Sequence, residues 1–140
     1  MGTTLSANAL SLAAMRATLE HVMTDAAYAH MESLAGRLAA GLAAVVEHYG
    51  LPWHVVRVGA RVEFICAPGP LGNGTEAEAA HAPALEQAIH LALLNRGCLI
   101  APFHNMMLVS PATTAAQVET LVQAFESVVA SLALDLATWQ

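Results

Sequence analysis

Seven histidines and two cysteines are the side chains of this 140-residue sequence most able to hold a metal or attack a substrate. Their spacing argues against both. His21, His30, His48, His54, His81, His90 and His104 contain no i,i+4 pair, and none lies at a Cys/His ligand spacing from Cys66 or Cys98. No metal site is expected. Ser6 and Ser110 have no partner that would make a Ser-His-Asp arrangement, so no catalytic residue is assigned. Glu76 and Glu78 read as solvated carboxylates in a polar loop. Gly69-x-x-Gly72-x-Gly74 is glycine-rich, but it carries prolines and is expected to lead into more loop, not directly into a helix, so a phosphate loop is not expected.

Two stretches could bind a small molecule. Gly2-Thr3-Thr4-Leu5-Ser6-Ala7-Asn8 precedes an expected helix start. The free N–H groups and positive dipole end there suit an anion, and the hydroxyls of Thr3, Thr4 and Ser6 add donors. Ordinary capping accounts for the same residues. His104, with Phe103 and Asn105 beside it, falls in an expected turn between two strands, where binding residues often sit.

The elements that would carry these residues follow from hydrophobic period. Leu12, Met15, Leu19 and Val22/Met23 recur at helical spacing over about Ala9 to Met23. Thr24 or Asp25 then caps a longer helix to about Tyr49, with a stripe of Tyr28, Met31, Leu34/Ala35, Leu38, Leu42 and Val45/Val46, ended by Gly50 and Pro52. The pattern shortens to a β-branched run from Trp53 to Val58 and another from Arg61 to Ala67, a hairpin or one broken strand. A loop over Pro68 to Ala82, a buried helix from Pro83 to Asn95, short strands at Cys98–Ala101 and Met106–Val109, and a helix after Pro111 with a Thr114/Gln117 capping box complete the chain. The order α-α-β-β-α-β-β-α predicts an α+β fold: a short, mainly antiparallel sheet with helices on one face.

Composition narrows the function classes. The net charge is −6, with five arginines and no lysine, so nucleic-acid binding is not expected. No apolar run reaches the roughly 18 residues of a membrane span, and the start lacks the features of a signal peptide. A cytoplasmic protein with reduced thiols is expected. Charged residues are 11% of the chain, against roughly 25% in soluble domains, so part of the surface should be covered by another domain or subunit.

The residues Gly2 to Ala14 also resemble the Gly-Thr-Phe/Leu-Ser-Gly-Asn-Pro-Leu-x-x-Ala-Ala stretch of the class III, pyridoxal-phosphate-dependent aminotransferases, the family to which the glutamate-1-semialdehyde aminomutases belong. Arg57-Val58-Gly59-Ala60, Arg96 to Pro102, Leu108-Val109-Ser110 and Thr113-Thr114 are similar to later family segments in the same order. The resemblance spans essentially the whole chain and implies the small C-terminal domain of a fold-type I transferase. It implies residues 1–24 as an interdomain helix with its phosphate motif and 25–140 as the small domain.

In that family the motif threonine reaches across a dimer to the cofactor phosphate. Thr4 matches it, and Thr3 stands at the preceding glycine. Asn8 matches the family asparagine, while Ala9 replaces a common proline. Ala101 stands near where several branches place a carboxylate-binding arginine, which leaves the substrate open, and the resemblance makes Phe103, His104 and Asn105 candidates for lining the substrate entrance instead. The family's Schiff-base lysine belongs to a large domain, and this chain has no lysine. The resemblance therefore implies a fragment that is inactive alone and binds no pyridoxal phosphate stably alone. It should pair with a missing large domain and self-associate as a dimer or more through apolar surface between Leu10 and Val22. A free-standing regulatory domain, binding a small metabolite or dimerising through the Tyr28–Tyr49 stripe, is the competing expectation.

Overall fold

The structure is a computed structural model that describes residues 8–101 and 105–138, with side chains followed to 132 in the last helix. Helix α1 covers Ala9–His21, and Asn8 caps it by accepting the Ser11 N–H at 2.9 Å. The expected stripe is present, yet α1 buries none of its residues: Leu12, Met15, Leu19, Val22 and Met23 all stand exposed.

Helix α2 (Asp25–His48) starts at Thr24, whose hydroxyl accepts the Ala27 N–H at 3.2 Å. Met31, Leu34, Ala35, Leu38, Leu42, Val45 and Val46 bury its inner face. Its end is a Schellman turn: Leu51 N–H donates to Val46 C=O, Gly50 N–H to Glu47 C=O, and Gly50 takes φ 60°. The stripe that might have served a dimer is thus the core of this domain, and only Tyr28 at its start is exposed.

Strands β1 (His54–Val58) and β2 (Arg61–Ile65) form an antiparallel hairpin, and β3 (Met106–Leu108) pairs antiparallel on the far side of β2. The register sets Val55 opposite Phe64, and Val62 opposite both Arg57 and Met107. Alternation then puts Val62, Phe64 and Met107 on the buried face and leaves Val56, Val58 and Leu108 exposed on the other. Helix α5 (Ala115–Thr138) packs along α2 and closes the core. Phe64 lies 4.8 Å from Phe125 of α5 and 6.2 Å from Trp53, measured between ring centroids. Thr114 and Gln117 form the expected reciprocal cap of α5 at 2.8 and 3.3 Å. The α+β class with an antiparallel sheet and helices is as expected.

Two local readings need correction. The span 74–79 is a short helix, α3 (Gly74–Ala79), not loop. It forms through capping: Asn73 accepts the Glu76 N–H at 3.0 Å, and Glu76 reaches back to Gly72 N–H at 2.6 Å. It buries nothing, so no apolar stripe could announce it. Helix α4 (Pro83–Leu94) follows, with Ile89 and Leu93 buried. Its C-terminus turns through Gly97 at φ 79°. Beyond it, Cys98–Ala101 forms no strand; one backbone bond, Ala101 N–H to Met106 C=O at 3.0 Å, ties it to β3.

Candidate functional site

Thr3, Thr4 and Ser6 lie outside the described residues, as do Phe103 and His104. The structure does describe the helix start they lead into. Asn8 satisfies the Ser11 N–H, which leaves the N–H groups of Ala9 and Leu10 without a partner among the described residues. The first turn of α1 contains no acidic residue. Two free donors at a dipole end, with no carboxylate to repel, fit an anion such as a phosphate. The glycine-rich segment before α3 does open onto a helix, contrary to expectation. The Glu76 carboxylate, in the first turn, bonds Gly72 N–H and Asn73 Nδ2 and places a negative charge at this helix start, so an anion is not favoured there.

Asn105 is the one entrance candidate that the structure describes. It is 5% exposed, adopts φ 43°, and donates from Nδ2 to the Phe64 C=O at 3.4 Å. Asparagine tolerates this left-handed region better than most residues. Its side chain fixes the turn into β3 and also borders a cavity of about 210 Å3 with Glu63, Leu71, His81 and Glu86. Sequence placed Asn105 in a turn but gave no sign that the side chain is buried.

Three of the histidines serve the fold. His30 Nε2 lies 2.9 Å from the Thr113 C=O, His54 Nδ1 lies 2.7 Å from the Ala67 C=O, and His48 packs edge-on to Tyr49. Among the described residues no group of three His, Cys, Asp or Glu could hold a metal ion. Arg96 bonds the Ala92 C=O and Ser127 Oγ, joining the end of α4 to α5. Arg57 bonds the Gly59 C=O within the hairpin turn.

Cys66 and Cys98 are free thiols, both partly buried. Burial, helped by the nearby Glu86 charge, pushes the Cys66 thiol up to about 12, so at neutral pH it is no nucleophile. A raised thiol value has a definite sign in linkage. The stability it contributes is fully present below the unfolded thiol's range and is lost as pH rises toward about 12. Urea titrations from pH 8 upward should show a fall in stability that is smaller in Cys66→Ala. Equal slopes for the two proteins would contradict it.

The described residues thus bring together a capped helix start with free donors, an apolar stripe with nothing on it, and a folded small domain. They do not contain a complete active site. No family model matches the chain. Curated relatives do. It is 37% identical over 100 residues to the glutamate-1-semialdehyde 2,1-aminomutase of Thermus thermophilus, which covers 71% of this chain and 23% of that protein. It is 35% identical over 124 residues to glutamate-1-semialdehyde 2,1-aminomutase 2 of Brevibacillus brevis, covering 86% of this chain and 28% of that one. Among solved structures it superposes on a glutamate-1-semialdehyde aminomutase from Pseudomonas aeruginosa PAO1 with a TM-score of 0.91 and 49% identity, over 94% of this chain and 29% of that one. An omega-transaminase from Sphaerobacter thermophilus gives a TM-score of 0.75 at 26% identity. The chain spans only about a quarter of the length of these relatives. No helix among the described residues is long and apolar enough to cross a membrane. With the sequence motifs, the fold and both kinds of relative in agreement, the chain is the counterpart of the C-terminal part of a class III, pyridoxal-phosphate-dependent aminotransferase of the glutamate-1-semialdehyde aminomutase kind.

Proposed function

We propose that this chain serves a pyridoxal-phosphate-dependent aminotransferase or aminomutase as its C-terminal portion, contributing a cofactor-phosphate contact and closure of the active site in a dimer, and that it is inactive alone. The observation that carries this reading is the match of nearly the whole chain to under a third of the Pseudomonas relative, joined to a sequence without lysine. Residues 1–24 would form the interdomain helix with its phosphate motif, and residues 25–140 the small domain.

When bound, the cofactor supplies an electron sink for the substrate carbon that bears the amino group. This chain's share is binding and enclosure. The hydroxyls of Thr4, Thr3 and Ser6 and the free N–H groups of Ala9 and Leu10 would hold the phosphate at the start of α1. Phe103, His104 and Asn105 would border the substrate entrance. Ala101 brings no charge to that entrance, so a substrate carboxylate must be held by residues from elsewhere in the assembly.

In the complex of this chain with a lysine-bearing cofactor domain, Thr4→Val removes one hydrogen bond to a charged phosphate. Such a bond contributes about 1.5–3 kcal/mol, so pyridoxal phosphate should bind roughly 10- to 100-fold more weakly, as measured by equilibrium dialysis. Unchanged affinity would remove Thr4 from the site. Incubation of the chain alone with pyridoxal phosphate and borohydride should label only the N-terminal amine; stable labelling elsewhere would contradict inactivity through want of a lysine.

A further inference from the structure

Between Gly97–Ala101 and β3 lies a groove, along which an apolar, strand-like segment finds no strand partner among the described residues. Ala101 and Met106 are joined by one backbone bond at 3.0 Å. Continuing that antiparallel pairing would set Leu99 opposite Leu108, yet among the described residues no backbone bond joins them. Instead the two arms diverge around a groove of about 680 Å3 whose floor includes Leu38, Val118 and Leu121.

The edge of β3 is open there. Val109 N–H bonds the Ala60 C=O, so alternate residues of β3 turn their polar groups toward β2. Leu108, out of step with these, turns its N–H and C=O toward the groove, where neither meets a partner among the described residues. Leu108 is 69% exposed as a residue, and Leu99 77%. Open strand edges beside exposed apolar side chains are templates for another strand.

We propose that this groove seats an extended, uncharged apolar segment from the part of the enzyme outside the stretch matched by this sequence, completing the sheet at Leu108. This rests on the reading under Proposed function. Among the described residues no charged side chain lines the groove, so a charged occupant would lose its hydration without compensation from them. A second copy fits poorly. The sheet's two outer strands, β1 and β3, have only five and three residues. An edge that short falls far below the roughly 1,200–2,000 Å2 of a stable interface. The rest of the enzyme is ample: the match covers only 29% of the Pseudomonas relative.

The test uses this whole chain co-expressed with the Pseudomonas relative from which the matching segment has been removed. A benzophenone amino acid in place of Leu108 should, on irradiation, join the chain to one extended segment of that partner, while the same probe in place of Glu47 should not. In the complex the Leu108 amide should exchange at least about a hundredfold more slowly than in the chain alone. Leu108→Asp should weaken the complex about tenfold or more while leaving the thermal midpoint of the isolated chain unchanged. A complex that forms without a Leu108 crosslink, or a crosslink to a second copy of this chain, overturns the groove assignment and leaves the proposed function standing. Failure to form any complex overturns both.

Discussion

Phe64→Ala is expected to leave the chain largely unfolded at room temperature. Phe64 is 1% exposed and sits between the rings of Trp53 and Phe125, on the face of β2 that meets the helices. Removing a buried phenylalanine ring costs about 3–5 kcal/mol, because the walls relax only partly into the cavity. Small domains hold only about 5–15 kcal/mol in total, and this one leaves much apolar surface uncovered, so a value near the lower end is expected. Circular dichroism with urea titration should show the loss, with Phe64→Leu retaining most of the fold. A Phe64→Ala protein with an unshifted midpoint would mean that the ring does not anchor the core.

The opposite outcome is expected for a change of similar chemical violence on α1. A Leu12→Glu, Met15→Glu, Leu19→Glu triple variant removes three large apolar groups from a helix that buries none of its residues. In the isolated chain this should not lower the melting midpoint, and it should reduce any self-association, because the exposed stripe is what favours it. In the presence of the cofactor-bearing part of a relative it should abolish assembly. Three glutamates facing a dry interface leave unpaired buried charge, costing several kcal/mol together. Size-exclusion chromatography and calorimetry of the two samples separate the cases. If the triple variant unfolds the isolated chain, α1 packs on its own domain; if assembly survives, the stripe faces solvent in the complex too.

These two variants also mark where sequence was legible. Helix α2 could be read because its stripe keeps one face over six turns, and that face is buried within the same chain. The stripe of α1 is equally periodic and equally readable as a helix, but periodicity does not say which molecule covers it. Helix α3 was missed because it rests on an Asn73–Glu76 cap and buries nothing. Cys98–Ala101 reads as a strand because its residues are apolar, yet a strand is a property of two segments. Its partner, on the proposal above, is not in this chain. The phosphate-contact residues Thr3, Thr4 and Ser6 were legible mainly through resemblance, since a capped helix start has the same composition whether or not an anion sits on it.

The central claim is tested most directly by activity in trans. The chain, purified alone, is mixed or co-expressed with the lysine-bearing remainder of the Pseudomonas relative, and amino-group transfer or migration on an amino-aldehyde substrate is followed with added pyridoxal phosphate. Neither part should turn over alone, and the pair should, with activity lost when the remainder's cofactor lysine is replaced by alanine. Turnover by this chain without the remainder, or a well-formed complex that stays inert with cofactor and substrate present, would contradict it.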